Sequence, residues 1–230
     1  MGKNQEKESS SCWSEKDYVN FIKLGAKLGI PTPQVHITLE VSENGKIIKT
    51  HKQRSRTWNR NFWNLSLCLL AGQTGVVTNF GAGYLSFKTT AGSVAALTPW
   101  SYYNPPKGIV NNSDYGIQAG TGTQAVSFEG YGLWALITHG TGAGQMNHAA
   151  HAAVVQNYVA GTKTWTLTLS RALTNLSGST ITIGETGLTQ MIGNGSPFYQ
   201  VCRDHLAATV PVNNTQVVTI TYNISLTFPA

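Results

Sequence analysis

Charge is scarce over most of this 230-residue chain: charged residues make up 11% of the total, and residues 61–230 hold only five of the sixteen Lys/Arg and four of the ten Asp/Glu. The net charge of +6 therefore belongs almost wholly to the first 60 residues. Paired-carboxylate hydrolysis needs two facing acids, and the long remainder offers only Asp114, Glu129, Glu185 and Asp204. Asp204 follows Arg203 directly and reads as an ion pair or turn, while Glu185 before Thr186-Gly187 reads as turn chemistry. A serine hydrolase needs a G-x-S-x-G elbow, which this region lacks. No catalytic residue is expected. Cysteine is equally sparse: Cys12, Cys68 and Cys202 form an odd set without a C-x-x-C pair, which argues against a disulfide framework or a thiolate zinc site. No run reaches the ~18 apolar residues of a membrane span, and the polar first twenty residues hold no apolar leader core. A soluble chain without an export signal is the expectation, and its length suffices to bury a core without staples.

What is present is glycine, threonine, serine and asparagine in alternating patterns. Ser14 and Asp17 have capping-box spacing ahead of Tyr18, Val19, Phe21, Ile22, Leu24 and Leu28, predicting a short helix that ends near Gly29 and Pro31. Residues 34–41 and 46–51 around Asn44-Gly45 predict a β-hairpin. Trp58, Phe62, Leu65 and Leu69 follow at helical spacing, so a helix is expected over roughly 57–70, capped by Ser55 or Thr57 and stopped by Gly72. Beyond residue 76 the period changes to 2, with strands predicted at "GYLSFKTT", "LWALIT", "AAVVQNYV", "TWTLTLSRAL", "TITI" and "FYQVCR". The alternation is clearest over 218–228, and hairpin turns are expected at 160–163 and 175–179. The fold class is mainly β: an antiparallel β-sandwich or jelly roll with one or two short helices and an N-terminal arm. The arm covers 1–33, as a disordered tail plus helix, and the β domain 34–230.

The motifs that suggest chemistry fail on context. "HGTGAGQMNH" (139–148) has spaced glycines between histidines, but a phosphate cradle requires a helix N-terminus after the glycines, and none is expected here. "GTGTQA" (120–125) matches a loose dinucleotide string, yet Gly130 and Gly132 follow too soon for a helix. No nucleotide or other cofactor is expected. His139, His148 and His151 are the one candidate metal set, but an i, i+3 pair on a strand points to opposite faces. Hydrogen-bonded histidines at a loop rim are the expectation, with no metal. Gly-Thr-Gly at 120–122 and 140–142 reads as backbone shape around an apolar strand.

Two surface patches remain. Lys49, Lys52, Arg54, Arg56 and Arg60, with Lys46 and His51 and beside Trp58, Phe62 and Trp63, form a basic cluster. Such a cluster can grip phosphates; without a recognised nucleic-acid fold it reads instead as a docking patch for acidic groups of a neighbouring subunit. Trp100, Tyr102, Tyr103 and Trp134 are candidate sugar-stacking aromatics, with "PWSYYNPP" (99–106) the candidate loop.

Three blocks carry a resemblance: "RSRTWNRNFWN" (54–64), the "GIQAGTGTQAV…LITHGTGAGQMN" centre, and "FYQVCRDHLAATVPVNNTQVVTITYNISLTFP" (198–229). Over residues 34–229 the chain resembles β-rich virion structural proteins of tailed bacteriophages, of the tail-, neck- or fibre-associated kind. The resemblance implies a homo-oligomeric particle component, made in the host cytoplasm, whose partners are copies of itself and other virion proteins; with no nucleic-acid fold and no membrane-length apolar run, nucleic acid is not the expected partner and no membrane is expected. Alternative expectations are a glycan-binding module that meets host-surface sugar through the aromatics above, and a polysaccharide-cleaving enzyme.

Overall fold

The computed structural model describes residues 15–55, 57–71, 87–95, 107–191 and 197–228. Its first element is helix α1 (Glu15–Leu28). Gly29, at φ +70°, ends it: the Gly29 N–H bonds Ala26 O and the Ile30 N–H bonds Gly25 O, a Schellman closure. Strands β1 (Thr32–Glu43) and β2 (Lys46–Arg54) form the expected hairpin. Asn44 and Gly45 both take positive φ, as a two-residue type I′ turn demands.

Helix α2 (Arg60–Ala71) starts later than its hydrophobic stripe suggests. Its cap is Asn59, whose Oδ1 accepts the Phe62 N–H at 3.3 Å. The Ser55 and Thr57 hydroxyls go instead to Asp204, at 2.7 and 3.1 Å. Trp58 precedes the helix, bridges to Cys202 and stacks on Phe62 at 4.1 Å. The proposed stop at Gly72 lies outside the described residues, as does the Ser14 cap.

The remaining strands are β3 (Phe87–Lys88), β4 (Val94–Ala95), β5 (Gly116–Gly120), β6 (Asn147–His151), β7 (Val155–Val159), β8 (Thr164–Thr174), β9 (Ile181–Met191), β10 (Phe198–Val212) and β11 (Val217–Thr227). They make a β-sandwich of antiparallel sheets. The larger sheet runs β2-β1-β11-β8-β6, with β7 also on β8; the smaller runs β10-β9-β5; β3 and β4 form a separate pair. Between the two sheets lie Val35, Ile37 and Leu39 of β1, Val218, Ile220 and Tyr222 of β11, Ile183 and Leu188 of β9, and Val210 of β10. The alternating Thr and Ser of β8 and β11 point the other way. There, Ser170 pairs with Thr221 and Thr164 with Thr227, each at 3.0 Å. A hydroxyl-covered outer face thus backs an apolar inner one.

Two strand expectations and one hairpin need correction. Residues 133–138 form no strand: one bridge, Gly120↔Leu136, with the Thr121 and Ile137 N–H groups bonded to Ala135 O and Ala119 O, fastens them beside β5. Of "GYLSFKTT", Phe87–Lys88 is strand and residues 83–86 lie outside the described ones. Residues 175–179 make no hairpin, because β8 and β9 belong to different sheets. Fully buried Asn175 carries the chain across: its Nδ2 donates to Ser179 O and Val212 O, both at 2.7 Å, and its Oδ1 accepts from the Ser177 N–H and hydroxyl. The turn at 160–163 does join a hairpin, β7 to β8, with Lys163 at φ +49°. Among the described residues no helix is long and apolar enough to cross a membrane.

Asn175→Ala should leave the Val212 carbonyl buried without a donor and cost about 2–4 kcal/mol. Urea titration should show a lower midpoint with an unchanged slope.

Candidate functional site

Polar chemistry concentrates on the smaller sheet, on the side facing away from the core. Glu185 of β9 has no exposure, and its Oε2 receives the Arg203 Nε–H at 2.7 Å. The rest of the guanidinium donates to Ala125 O and Gln124 O, each at 3.1 Å, while Glu185 Oε1 accepts the Ala135 N–H at 2.8 Å. One ion pair thereby straps the 121–139 loop onto the sheet. The Gly-Thr-Gly at 120–122 makes room for it: a Cβ on Gly120 would stand 2.6 Å from Glu185 Oε1, and one on Gly122 would clash with the same atom. Glu185 is thus a mid-strand buried anion rather than a turn residue. Arg203 and Asp204, adjacent on β10, point to opposite faces and do not pair with each other. Asp204 joins Ser55, Thr57 and the Cys202 Sγ, which donates to Asp204 Oδ2 at 3.1 Å. Burial, then Asp204, pushes the Cys202 thiol well above its usual pKa, so it stays a thiol.

The 139–148 stretch is a compact turn. The Gly140 N–H bonds Met146 O, the Met146 N–H bonds Thr138 O, and the Gln145 side chain occupies the space a Cβ on Gly140 would need. His139 Nδ1 accepts the His148 N–H at 3.1 Å. His148 and His151 do not sit at a loop rim. A bulge between them in β6 sets two residues against one of β8, so both rings turn inward and are buried. His151 Nε2 accepts the Ile117 N–H at 2.8 Å, and His148 Nδ1 donates to Met146 O at 2.9 Å. Against them lies Arg171, 1% exposed, all five N–H groups spent on the carbonyls of Ala149, Tyr115, Ile117, Ile109 and Asn112. Burial lowers its pKa to about 10. Burial first, then the Arg171 charge, lowers His148 to about 4 and His151 to about 3. Among the described residues no three His, Cys, Asp or Glu side chains converge as metal ligands.

The basic cluster does not converge. Lys49, opposite Val41, lies on one face of β2; Lys52 and Arg54, opposite Thr38 and His36, lie on the other. Arg54 covers the Tyr18 ring at 4.0 Å and donates to Gln34 at 3.3 Å. Arg60 pairs with Glu129 of the same chain. Arg56 lies outside the described residues, as do Trp100, Tyr102 and Tyr103. Trp134 is 68% exposed on the strapped loop. Its chain neighbour Leu133 and nearby Leu136 line a cleft of about 350 Å³ together with Thr90, Asp114, Gln118 and Phe198.

No family model, curated protein or solved structure matches the chain. The residues that sequence reasoning missed are Gln118, Glu185 and Gln200.

Two outcomes follow from these contacts. Because both histidines bind protons less readily folded than unfolded, their stabilisation is intact above the unfolded pKa near 6.5 and is lost as pH falls toward 4 and 3. Urea titrations at pH 7 and pH 5 should differ by about 2 kcal/mol per histidine, and His148→Gln should flatten the dependence. Glu185→Gln should leave Arg203 buried without its counter-charge and cost about 3–5 kcal/mol in the same assay, whereas Glu185→Leu with Arg203→Leu should be milder than either change alone.

Proposed function

We propose that this chain is a structural building block: a homo-oligomeric, tail- or neck-associated virion protein of a tailed bacteriophage, working through contacts with its own copies and with other virion proteins. The observation that carries the assembly reading is the exposure of apolar side chains on and just after α1, Leu24, Leu28 and Ile30 above all. The helix rests on the outer face of the larger sheet. Tyr18 Oη donates to Pro33 O at 3.0 Å, Arg54 covers the Tyr18 ring, and Gly25 sits so close to Thr32 that any side chain there would collide. Yet Phe21, Leu24, Leu28 and Ile30 are 44%, 53%, 60% and 56% exposed. A 14-residue helix has little stability by itself and depends on burying such a stripe. Covering Leu24, Leu28 and Ile30 on a symmetry mate supplies that burial, and symmetry repeats it.

The sheet edges support the same reading. β2 ends the larger sheet with Ile47 and Ile48 exposed, and β7 shows Val155, Tyr158 and Val159 to solvent. Open edges are templates for pairing with another chain. The broad hydroxyl face between them carries little charge, which favours close approach of another protein over solvation by ions. The placement in a phage particle rests on the resemblance of the three sequence blocks.

Sedimentation velocity at tens of micromolar should show a species larger than one chain. Leu24→Asp with Leu28→Asp should return it to a single chain with unchanged circular dichroism. A wild-type protein that sediments only as a monomer overturns the assembly reading.

A further inference from the structure

Lys46, Lys49 and Lys52 fail to share one face of β2, yet they line one edge. β2 ends the larger sheet, and β1 is its only strand neighbour among the described residues. Lys46 to Thr50 and Lys52 are exposed, Ile47 and Ile48 by about half. The far end of the strand is closed: the Gln53 side chain donates to His205 O at 3.1 Å and accepts the Ala207 N–H at 2.9 Å, which moors it to β10. Residues 46–52 stay open.

The phase of the hairpin ladder shows what this edge offers. The Ser55 N–H bonds Val35 O at 2.9 Å, so the facing pairs Ile37↔Gln53, Leu39↔His51 and Val41↔Lys49 are those that exchange hydrogen bonds. Thr50 and Lys52, lying between them, turn both N–H and C=O away from β1. The register slips at Ile48, and these two residues lie beyond the slip. An added strand finds its donors and acceptors there.

Charge decides which strand that is. β2 carries Lys46, Lys49, Lys52 and Arg54 and no carboxylate. On β1, Glu43 accepts from Gln216 Nε2 at 3.3 Å, and among the described residues no carboxylate forms an ion pair with the three lysines. A second copy is a poor occupant. Antiparallel pairing of two β2 strands about Lys49 sets that residue against its own equivalent and Lys46 against Lys52, and like charges directly opposite one another repel. Edge lysines guard against such self-pairing. The same lysines favour a strand that faces them with carboxylates.

We propose that residues 46–52 of β2 accept an extended acidic segment of a different protein as an added strand. Its backbone bonds at Thr50 and Lys52, and its carboxylates, at every third residue, face Lys46, Lys49 and Lys52. This rests on the reading of the sheet edges as pairing templates and names the partner chemistry that β2 selects.

The test titrates the full chain against a fluorescein-labelled peptide with glutamate at every third position among threonine and valine, read by anisotropy, and maps the complex by amide hydrogen exchange. Saturable binding that falls with added salt is expected. Protection should rise at the Thr50 and Lys52 amides and not at His51, whose N–H already serves β1. Thr50→Pro keeps every charge and every hairpin bond, because the lost N–H points outward. It should weaken the peptide at least about tenfold with unchanged circular dichroism. Should that variant fail to fold, the exchange pattern of the wild type decides alone. The proposal is overturned if the peptide does not saturate, if it binds without protecting Thr50 and Lys52, if folded Thr50→Pro binds it equally well, or if single-stranded DNA of equal charge binds as tightly. The Leu24→Asp, Leu28→Asp chain should bind the peptide as wild type does. A wild-type monomer that takes up the peptide loses the copy-to-copy assembly reading and keeps this one, and an oligomer that ignores the peptide does the reverse.

Discussion

Glu185 is a carboxylate without solvent, and much of the smaller sheet is arranged to keep it neutralised. Burying it alone would be prohibitive; one guanidinium and one backbone N–H make it tolerable. The same guanidinium then reaches two carbonyls of the covering loop, so the charge and the loop are ordered together. A pair of this kind adds little net stability over a hydrophobic substitute but penalises every arrangement that separates the partners. That penalty fixes the path of residues 121–139, which in turn places Leu133 and Leu136 above Gln118 and Gly187.

Arg171 applies the same economy without an anion. Its five donors gather carbonyls from residues 109–117 and from Ala149, segments that follow no regular ladder and need partners when buried. Burial keeps neighbouring His148 and His151 neutral, and the charge Arg171 brings inside adds to it. Asn175 does for the crossing between sheets what Arg171 does for the loops. Strand pairing builds the core of this sandwich, whereas single buried polar side chains decide how its connections lie.

Legibility in the sequence followed the same division. The hairpin at Asn44-Gly45 and the final strand could be read because one face is wet and the other dry, which leaves a period of two. β9 and β10 could not be read to their full length. Both of their faces are buried, so Glu185, Thr186, Arg203 and Asp204 interrupt the apolar run and mimic turns. The inward pair of histidines was hidden by a bulge, which residue spacing does not reveal. The start of α2 was misplaced because Trp58 packs on the helical stripe while lying outside the helix. Of the candidate site residues, Trp134 was visible as an aromatic in a glycine-rich loop. Gln118 and Gln200 were not, since nothing in a sequence distinguishes a buried glutamine from one in water.

The register of β1 with β11 has a consequence for biosynthesis. Thr32 to Ser42 pairs residue by residue with Thr227 back to Val217, so β1 waits for a strand translated well over a hundred residues later. Until residue 227 has cleared the ribosome, the edge of β1 opposite β2 has no neighbour, and closure of the long intervening loop must precede any reward from pairing. The nascent chain therefore carries the open edge of β1 until β11 emerges, and a second nascent copy nearby meets the same vacant edge.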